Sequence, residues 1–349
     1  MFQELYIKRR SKIFKDSGIP LYQQVSGKLA RDISSGRLSP DSPLPSINSL
    51  EAKLGVARNT VIQAMRQLVH DGYAVAKHGK GFYAVNQDRK PVINIVVPLH
   101  HYYFIQIYVN LIAGVQELAE QKGERLQIYN TGETHAGFLS VLREITSYRP
   151  NARIIAVPPS DGNGGVNEKS CSELEKIVKT GARVVVVDRN LDVKGIPQVT
   201  QDKLEGRKLL LSEVFRKPCA SALFFDADEH AGALREFSAS SGWHGRLTFE
   251  KSSGLMNDLD RISQERYEAV FCTNDLHARR LLNAAGGKIG CMIAGYDGTM
   301  SAISFSPRIS TVSSNLMKAG EKAYNLLSGN LVEEKSNYVK PFFVGGDTL

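Results

Sequence analysis

Leu54-Gly55-Val56-Ala57-Arg58-Asn59-Thr60 is the stretch whose reading decides the fold of the first quarter of the chain. Gly55 punctuates it, because a glycine after Leu50 and Leu54 ends one helix in a tight turn. Beyond it Val61, Ala64, Met65 and Leu68 recur at helical spacing, which predicts a second helix from about Ala57 to His70. Ser46 stands where the first helix needs a capping oxygen. Two short helices around a glycine turn are a helix-turn-helix. Upstream, Leu21, Val25, Leu29 and Ile33 mark another amphipathic helix that stops at Gly36. Leu38 to Pro45 carries three prolines and cannot continue it. Downstream, the apolar runs from Tyr73 to Ala76 and Phe82 to Val85 flank Lys77-His78-Gly79-Lys80-Gly81, which reads as a hairpin with a basic tip. After a helix-turn-helix such a hairpin is a wing.

The charge supports a nucleic-acid partner. Residues 1–90 hold 15 Lys and Arg against 7 Asp and Glu, whereas residues 91–349 hold 29 of each. The whole net charge of +8 therefore sits in the first quarter. A basic module joined to a neutral one is the electrostatic footprint of a nucleic-acid-binding domain with separate cargo. Arg58, Asn59 and Thr60 open the second helix, where side chains and free N–H groups meet bases and phosphates of a major groove. His78, Gly79 and Lys80 would bring the wing tip to the minor groove or the backbone. For Arg58 the alternative is a solvated charge at a helix start.

The segments Pro20-Leu21-Tyr22-Gln23-Gln24, Leu44-Pro45-Ser46, Leu54 to Thr60 and His78 to Gly81 together resemble the DNA-binding domain of the GntR family. That resemblance spans residues 20–85 and implies contacts to double-stranded operator DNA from Ser46, Asn48, Arg58, Asn59, Thr60, His78, Gly79 and Lys80. Asn48 and Ile62 depart from it, since arginine is usual at both places, which implies a different operator sequence. Ala57 also replaces the usual capping hydroxyl. Residues 1–19 are expected to be a basic arm or a solvated tail, and residues 86–91 a linker.

From residue 92 to residue 349 the pattern changes to alternating strands and helices. Val92 to Val97 is a buried-strand run, followed by a helix over 105–121 with Ile105, Val109, Ile112, Val115 and Leu118 inward. Strands are predicted over 125–129, 153–157, 183–187, 220–225, 269–273 and 291–296, with helices between them. This alternation predicts parallel sheets covered by helices, and about 260 residues of it predict two lobes. The fold class is thus α/β, a winged helix-turn-helix followed by a two-lobed domain. Ligands of such sheets bind beyond the carboxyl ends of the strands.

At those ends the chain resembles sugar-binding periplasmic proteins and LacI/GalR-type regulators. The residues that carry this are Val184 to Arg189, Val199 to Asp202, Phe271 to Asp275, Ile293 to Gly298 and Pro307 to Val312. The resemblance implies a cleft in which Asp188 and Arg189 meet a polyhydroxylated ligand from one lobe and Asn274 and Asp297 from the other. A carboxylate accepts hydroxyl protons and a guanidinium donates in a fixed fork. Tyr103 or Phe104, in the loop after the first strand, would stack on a sugar ring. The alternatives are a structural ion pair for Asp188 and Arg189, and a helix cap for Asp275. Asp202 is expected at the hinge. The arginine usual four residues before Phe237 is absent, with Ala233 in its place, unless Arg235 reaches the site.

Nothing in the sequence offers a membrane span, a signal peptide, a metal-binding spacing, a cofactor fingerprint or a catalytic motif. His100 and His101 are adjacent and point apart, so a metal site is not expected there. Cys171, Cys219, Cys272 and Cys291 are expected as buried reduced thiols. The expectation is a cytoplasmic, homodimeric regulator without a cofactor, a repressor relieved by a sugar or related polar metabolite. The alternatives are the same architecture sensing a non-sugar ligand such as a nucleobase, and a binding protein without a regulatory role.

Overall fold

The computed structural model describes residues 20–39, 41–77, 79–85, 91–149, 151–160, 165–191, 193–287, 289–329 and 337–349. The expected arm, most of the linker and His78 lie outside the described residues. The head is built from α1 (Leu21–Ser34), α2 (Ile47–Leu54), α3 (Arg58–His70) and the antiparallel hairpin of β1 (Ala74–Lys77) and β2 (Gly81–Ala84). Ser46 Oγ accepts from the Ser49 N–H at 3.1 Å and starts α2, while Gly55 ends it at φ +63°. Ala57 offers α3 no side-chain cap. Packing holds α3 instead: Val61, Ala64, Met65 and Leu68 are buried against Val25, Leu29 and Leu50.

A six-stranded parallel sheet forms the first lobe. Its strands are β3 (Val92–Val97), β4 (Arg125–Asn130), β5 (Arg153–Ala156), β6 (Arg183–Val187), β7 (Gln198–Gln201) and β13 (Tyr338–Val339), in the order β13-β7-β6-β5-β3-β4. Among its helices are α4 (Tyr102–Gln121), α5 (His135–Tyr148) and α6 (Glu168–Lys179). The second lobe holds β8 (Ser221–Phe225), β9 (Arg246–Glu250), β10 (Ala269–Phe271) and β11 (Met292–Ala294) in the order β11-β10-β8-β9, all parallel. Its helices are α7 (Lys203–Phe215), α8 (Ala231–Ser240), α9 (Leu255–Glu265), α10 (Asp275–Ala284) and the short α11 (Met300–Ser304). The pair β12 (Thr311–Ser313) and β14 (Phe342–Val344) completes it.

The chain crosses between lobes at Asp202, again after β12, and a last time between β13 and β14. The second crossing matters most, because α12 (Leu316–Ser328) returns to pack on α4 in the first lobe. A Cβ built on Gly114 would lie 2.0 Å from the Met317 carbonyl oxygen, and one on Gly320 2.2 Å from that of Leu111. The two backbones touch because neither residue has a side chain.

The helix after β3 starts at Tyr102, three residues earlier than predicted, and its phase corrects the expected inward set. Tyr108, Leu111, Val115 and Ala119 are buried, whereas Ile105 and Val109 are each 48 % exposed. Apolar residues line this helix almost all round, so periodicity alone could not fix its inner face. The four cysteines are free thiols, Cys272 buried and the others half-buried. No helix among the described residues is long and apolar enough to cross a membrane.

Substituting Gly114→Ala or Gly320→Ala should destabilise the chain by at least about 1–3 kcal/mol, the usual cost of overpacking. Urea unfolding checks this, and an unchanged midpoint for both variants would disprove the close helix contact.

Candidate functional site

Two groups of polar residues stand at the ends of elements. In the head, Arg58 Nη1 donates to Asn48 Oδ1 at 2.5 Å and lies 3.4 Å from Glu51 Oε2. Asn48 and Arg58, predicted separately as DNA contacts, are thus brought together across the turn. The Arg58 side chain remains 57 % exposed, and Asn59 beside it is exposed. Thr60 is half-buried, and Ser46 spends its hydroxyl oxygen on the cap of α2. Gly79 at φ +71° and exposed Lys80 form the hairpin tip, closed by the Lys80 N–H donating to the Lys77 carbonyl at 2.9 Å.

The second group lies between the lobes, where the loops after the parallel strands face each other. Asp188 follows β6 at φ +64°. Its Oδ2 accepts from Arg189 Nη1 at 2.5 Å and from the Tyr108 hydroxyl at 2.9 Å, and its Oδ1 from Gln201 Nε2 at 2.7 Å. The expected ion pair therefore exists, and it is a shaped one. Burial disfavours the Arg189 charge, but Asp188 outweighs it and raises the guanidinium further above its ordinary range. Arg189 Nε is buried without a partner among the described residues. A buried donor left over in an otherwise satisfied network is a place for a ligand acceptor.

Asp297 follows β11 at φ +102° and accepts the Tyr103 hydroxyl across the lobe boundary. The two lobes are joined a second time where the Ser301 N–H donates to Gln106 Oε1 at 2.8 Å. Gln106 Nε2 and the Tyr296 hydroxyl are also buried without partners among the described residues. Burial pushes Asp297 up to about 6, against the lowering effect of the Tyr103 hydroxyl. The phenol is itself pushed up by burial and by Asp297.

Three placements correct the sequence reading. Tyr103 and Phe104 are not in a loop but in the first turn of α4, where the Tyr103 N–H donates to His101 Nδ1. Tyr103 is buried, and Phe104 lies parallel to Tyr108 with ring centroids 6.2 Å apart. Asn274, not Asp275, caps α10, accepting from the His277 N–H at 2.8 Å. Its Oδ1 is committed, which leaves the amide nitrogen for a ligand. Asp275 is an interior strut that accepts from the Thr299 N–H and hydroxyl and the Thr311 hydroxyl. Arg235 donates to the Leu247 carbonyl at 3.5 Å and lies over the Phe249 ring, away from Asp188 and Asp297. Asp202 caps α7 at the first crossing. His100 lies 3.1 Å from Glu133, and no metal-binding cluster occurs among the described residues.

Two residues escaped the sequence reading. Asp226 follows β8 at φ +51°, and Thr273 follows β10 and donates to Asp226 Oδ2 at 2.6 Å. They meet between β8 and β10, where the strand order of the second sheet reverses, the switch point at which open sheets bind ligands. The strand-end rule pointed at both, but without the strand order nothing paired them.

Residues 21–84 match the model of the bacterial regulatory proteins of the gntR family. The head is of the gntR type. The full chain is similar to the arabinose metabolism transcriptional repressor of Geobacillus stearothermophilus, at 24 % identity over 92 % of this chain and 94 % of that one. Beyond the head the fold is that of LacI-type regulators. The transcription regulator CcpA of Lactococcus lactis superposes with a TM-score of 0.60 at 15 % identity, covering 74 % of this chain and 99 % of that one. A periplasmic binding protein/LacI transcriptional regulator of Alkaliphilus metalliredigens, complexed with D-xylulofuranose, superposes with a TM-score of 0.56 at 17 % identity, covering 74 % and 98 %.

Burial, with Asp297 behind it, pushes Asp275 up to about 7 although three donors oppose the shift. A carboxyl raised in the folded state keeps its proton there while the unfolded chain loses it. Its contribution to stability is thus full below about pH 4 and falls as pH rises towards 7. The stability of wild type relative to Asp275→Asn should therefore fall across pH 4–7, measured by urea midpoints. A flat difference profile would rule out the strut as a buried, proton-holding carboxyl.

Proposed function

We propose that this chain is a sugar-responsive transcription repressor that binds operator DNA through its head and a small carbohydrate between its lobes. What supports the reading is that Asp188 and Arg189 end one lobe's strands near Asp297 of the other, with Asn274 also at a strand end there, joined to a gntR-type head. Acceptors and donors in alternation suit a ring of hydroxyls, each of which donates once and accepts twice. Buried Arg189 Nε adds an unspent donor, and Phe104 on Tyr108 an aromatic face for the apolar side of a sugar. Asp226 and Thr273 extend the polar lining.

Ligand hydroxyls donating to Asp297 compete with the Tyr103 hydroxyl, so binding exchanges the direct bond between lobes for a bridge through the sugar. Such an exchange alters the angle between lobes, and it shifts DNA binding if the two states differ in affinity for the ligand. The repressor assignment is supported by the arabinose repressor to which nearly the whole chain is similar. A homodimer would place two heads on a roughly palindromic operator. Tyr102, Ile105 and Val109 on α4 and Met300 and Phe305 on and after α11 are exposed. They lie on both sides of the Ser301–Gln106 bond, an apolar face suited to a second copy.

A thermal-shift screen with pentoses and hexoses, beginning with arabinose, tests the cleft. A sugar present at about a hundred times its dissociation constant adds about 2.7 kcal/mol to native stability. If no sugar raises the melting temperature and a nucleobase does, the carbohydrate reading falls and the regulator reading stands.

Arg58→Ala should weaken binding to an operator fragment selected from a random pool by roughly tenfold or more, as a base-contacting arginine is worth about 1–3 kcal/mol. Gel-shift titration with an unchanged melting temperature as control decides it. Equal affinity would remove Arg58 from the interface.

A further inference from the structure

A void of about 350 Å³ lies between the head and the first lobe, walled by Asp71 and Tyr73 of the head, Arg125 at the start of β4, and Glu144 and Arg149 of the α5 region. It is not the ligand cleft, because Val92 and Arg125 open their strands at the end opposite Asp188. Two of the contacts that hold the head beside it are side-chain hydrogen bonds. Arg149 Nε donates to the Tyr73 hydroxyl at 3.0 Å, with the guanidinium 5.7 Å from the ring centroid. Arg31 Nη1, from α1, donates to the Ser147 carbonyl at 3.0 Å.

Both contacts fall on the last turn of α5 or just past it, and the other end of that helix lies at the cleft. Thr134 caps α5 directly after the loop in which Asn130 Oδ1 accepts from the Leu99 N–H at 2.8 Å. Leu99 belongs to the segment that leads into Tyr103 and Phe104. A helix of 14 residues spans about 21 Å, so one rigid element reaches from the cleft rim to the head. The DNA-facing residues take no part in these contacts: Arg58, Asn59, Gly79 and Lys80 stay exposed.

We propose that this seam is a positioning contact through which α5 carries the head on the first lobe, so that rotation of the lobe turns the DNA-reading face with it. The proposal rests on the regulator reading for its purpose but not for its geometry. One covalent connection limits distance, whereas two side-chain contacts far apart in sequence also fix orientation. The seam also holds two carboxylates. Glu144 faces Asp71 across the void, and burial together with that carboxylate raises its pKa.

Small-angle scattering of the full chain, without DNA or sugar, tests the seam for wild type, Arg31→Ala/Arg149→Ala, Tyr73→Phe and Glu144→Gln. The double variant should show a larger maximum dimension and Tyr73→Phe a smaller change in the same direction. Glu144→Gln, which removes repulsion, should be no larger than wild type. The double variant should also bind the selected operator fragment several-fold more weakly. Identical scattering for wild type and the double variant overturns the proposal, as does expansion caused equally by Glu144→Gln. If wild type selects no DNA at all, the regulator reading fails while the scattering result still decides the seam.

Discussion

The large domain depends on one steric fact, the contact of α4 with α12 through Gly114 and Gly320. The second lobe is inserted between the first and last parts of the first lobe. Its closure therefore requires the chain to return after β12 and bury Leu316, Ala319, Ala323 and Leu327 against Leu111 and Val115. That packing draws the Asp202, post-β12 and post-β13 crossings together: the Asp202 N–H donates to the Val339 carbonyl and Asn315 Nδ2 to that of Lys340. Tyr103 is in the first turn of α4 and Asp297 is bridged to Ser313 just before α12. The bond between lobes is thus positioned by the same helix pair.

The two sides of the cleft solve the problem of a buried carboxylate differently. Asp188 is answered within its own lobe by Arg189, Tyr108 and Gln201, contacts that involve nothing from the other lobe. Asp297 accepts from a phenol of the opposite lobe, and burial raises it to about 6 against the lowering effect of that bond. A charge satisfied locally makes a fixed anchor. One satisfied across a boundary depends on the boundary, because Tyr103 and Asp297 meet only where the two lobes do.

What the sequence disclosed follows the range of the interactions involved. The head was legible because each of its signals is local: Ser46 caps three residues ahead, Gly55 ends the helix it follows, and the wing glycines sit between adjacent strands. Asp188, Arg189, Asn274 and Asp297 were legible as strand-end positions through the family resemblance, and each stands within three residues of the end of its strand. Their division of labour was not. Asn274 and Asp275 are neighbours, and only the position of Thr299 and Thr311 decides which caps and which braces. The return to the first lobe was equally hidden, since β12, β13 and β14 are two or three residues long and pair far away in sequence. Ile105 and Val109 were misread because an apolar residue on an exposed helix face looks, in sequence, like one facing a core.

The unusual Asn48 gains a physical role from Arg58. Two arginines in the two places would repel across the turn, whereas an amide oxygen at 2.5 Å accepts from the guanidinium and Glu51 lends a partial counter-charge. Arg58 is thereby restrained, and in the proposed DNA contact such restraint lowers the entropy lost on binding. In that proposed contact, the Arg58–Glu51 interaction would be shared with a base or phosphate. A head tuned in this way profits most when its own placement is fixed, and the contacts of Tyr73 and Arg31 with the first lobe supply that constraint at the opposite end of the same small domain.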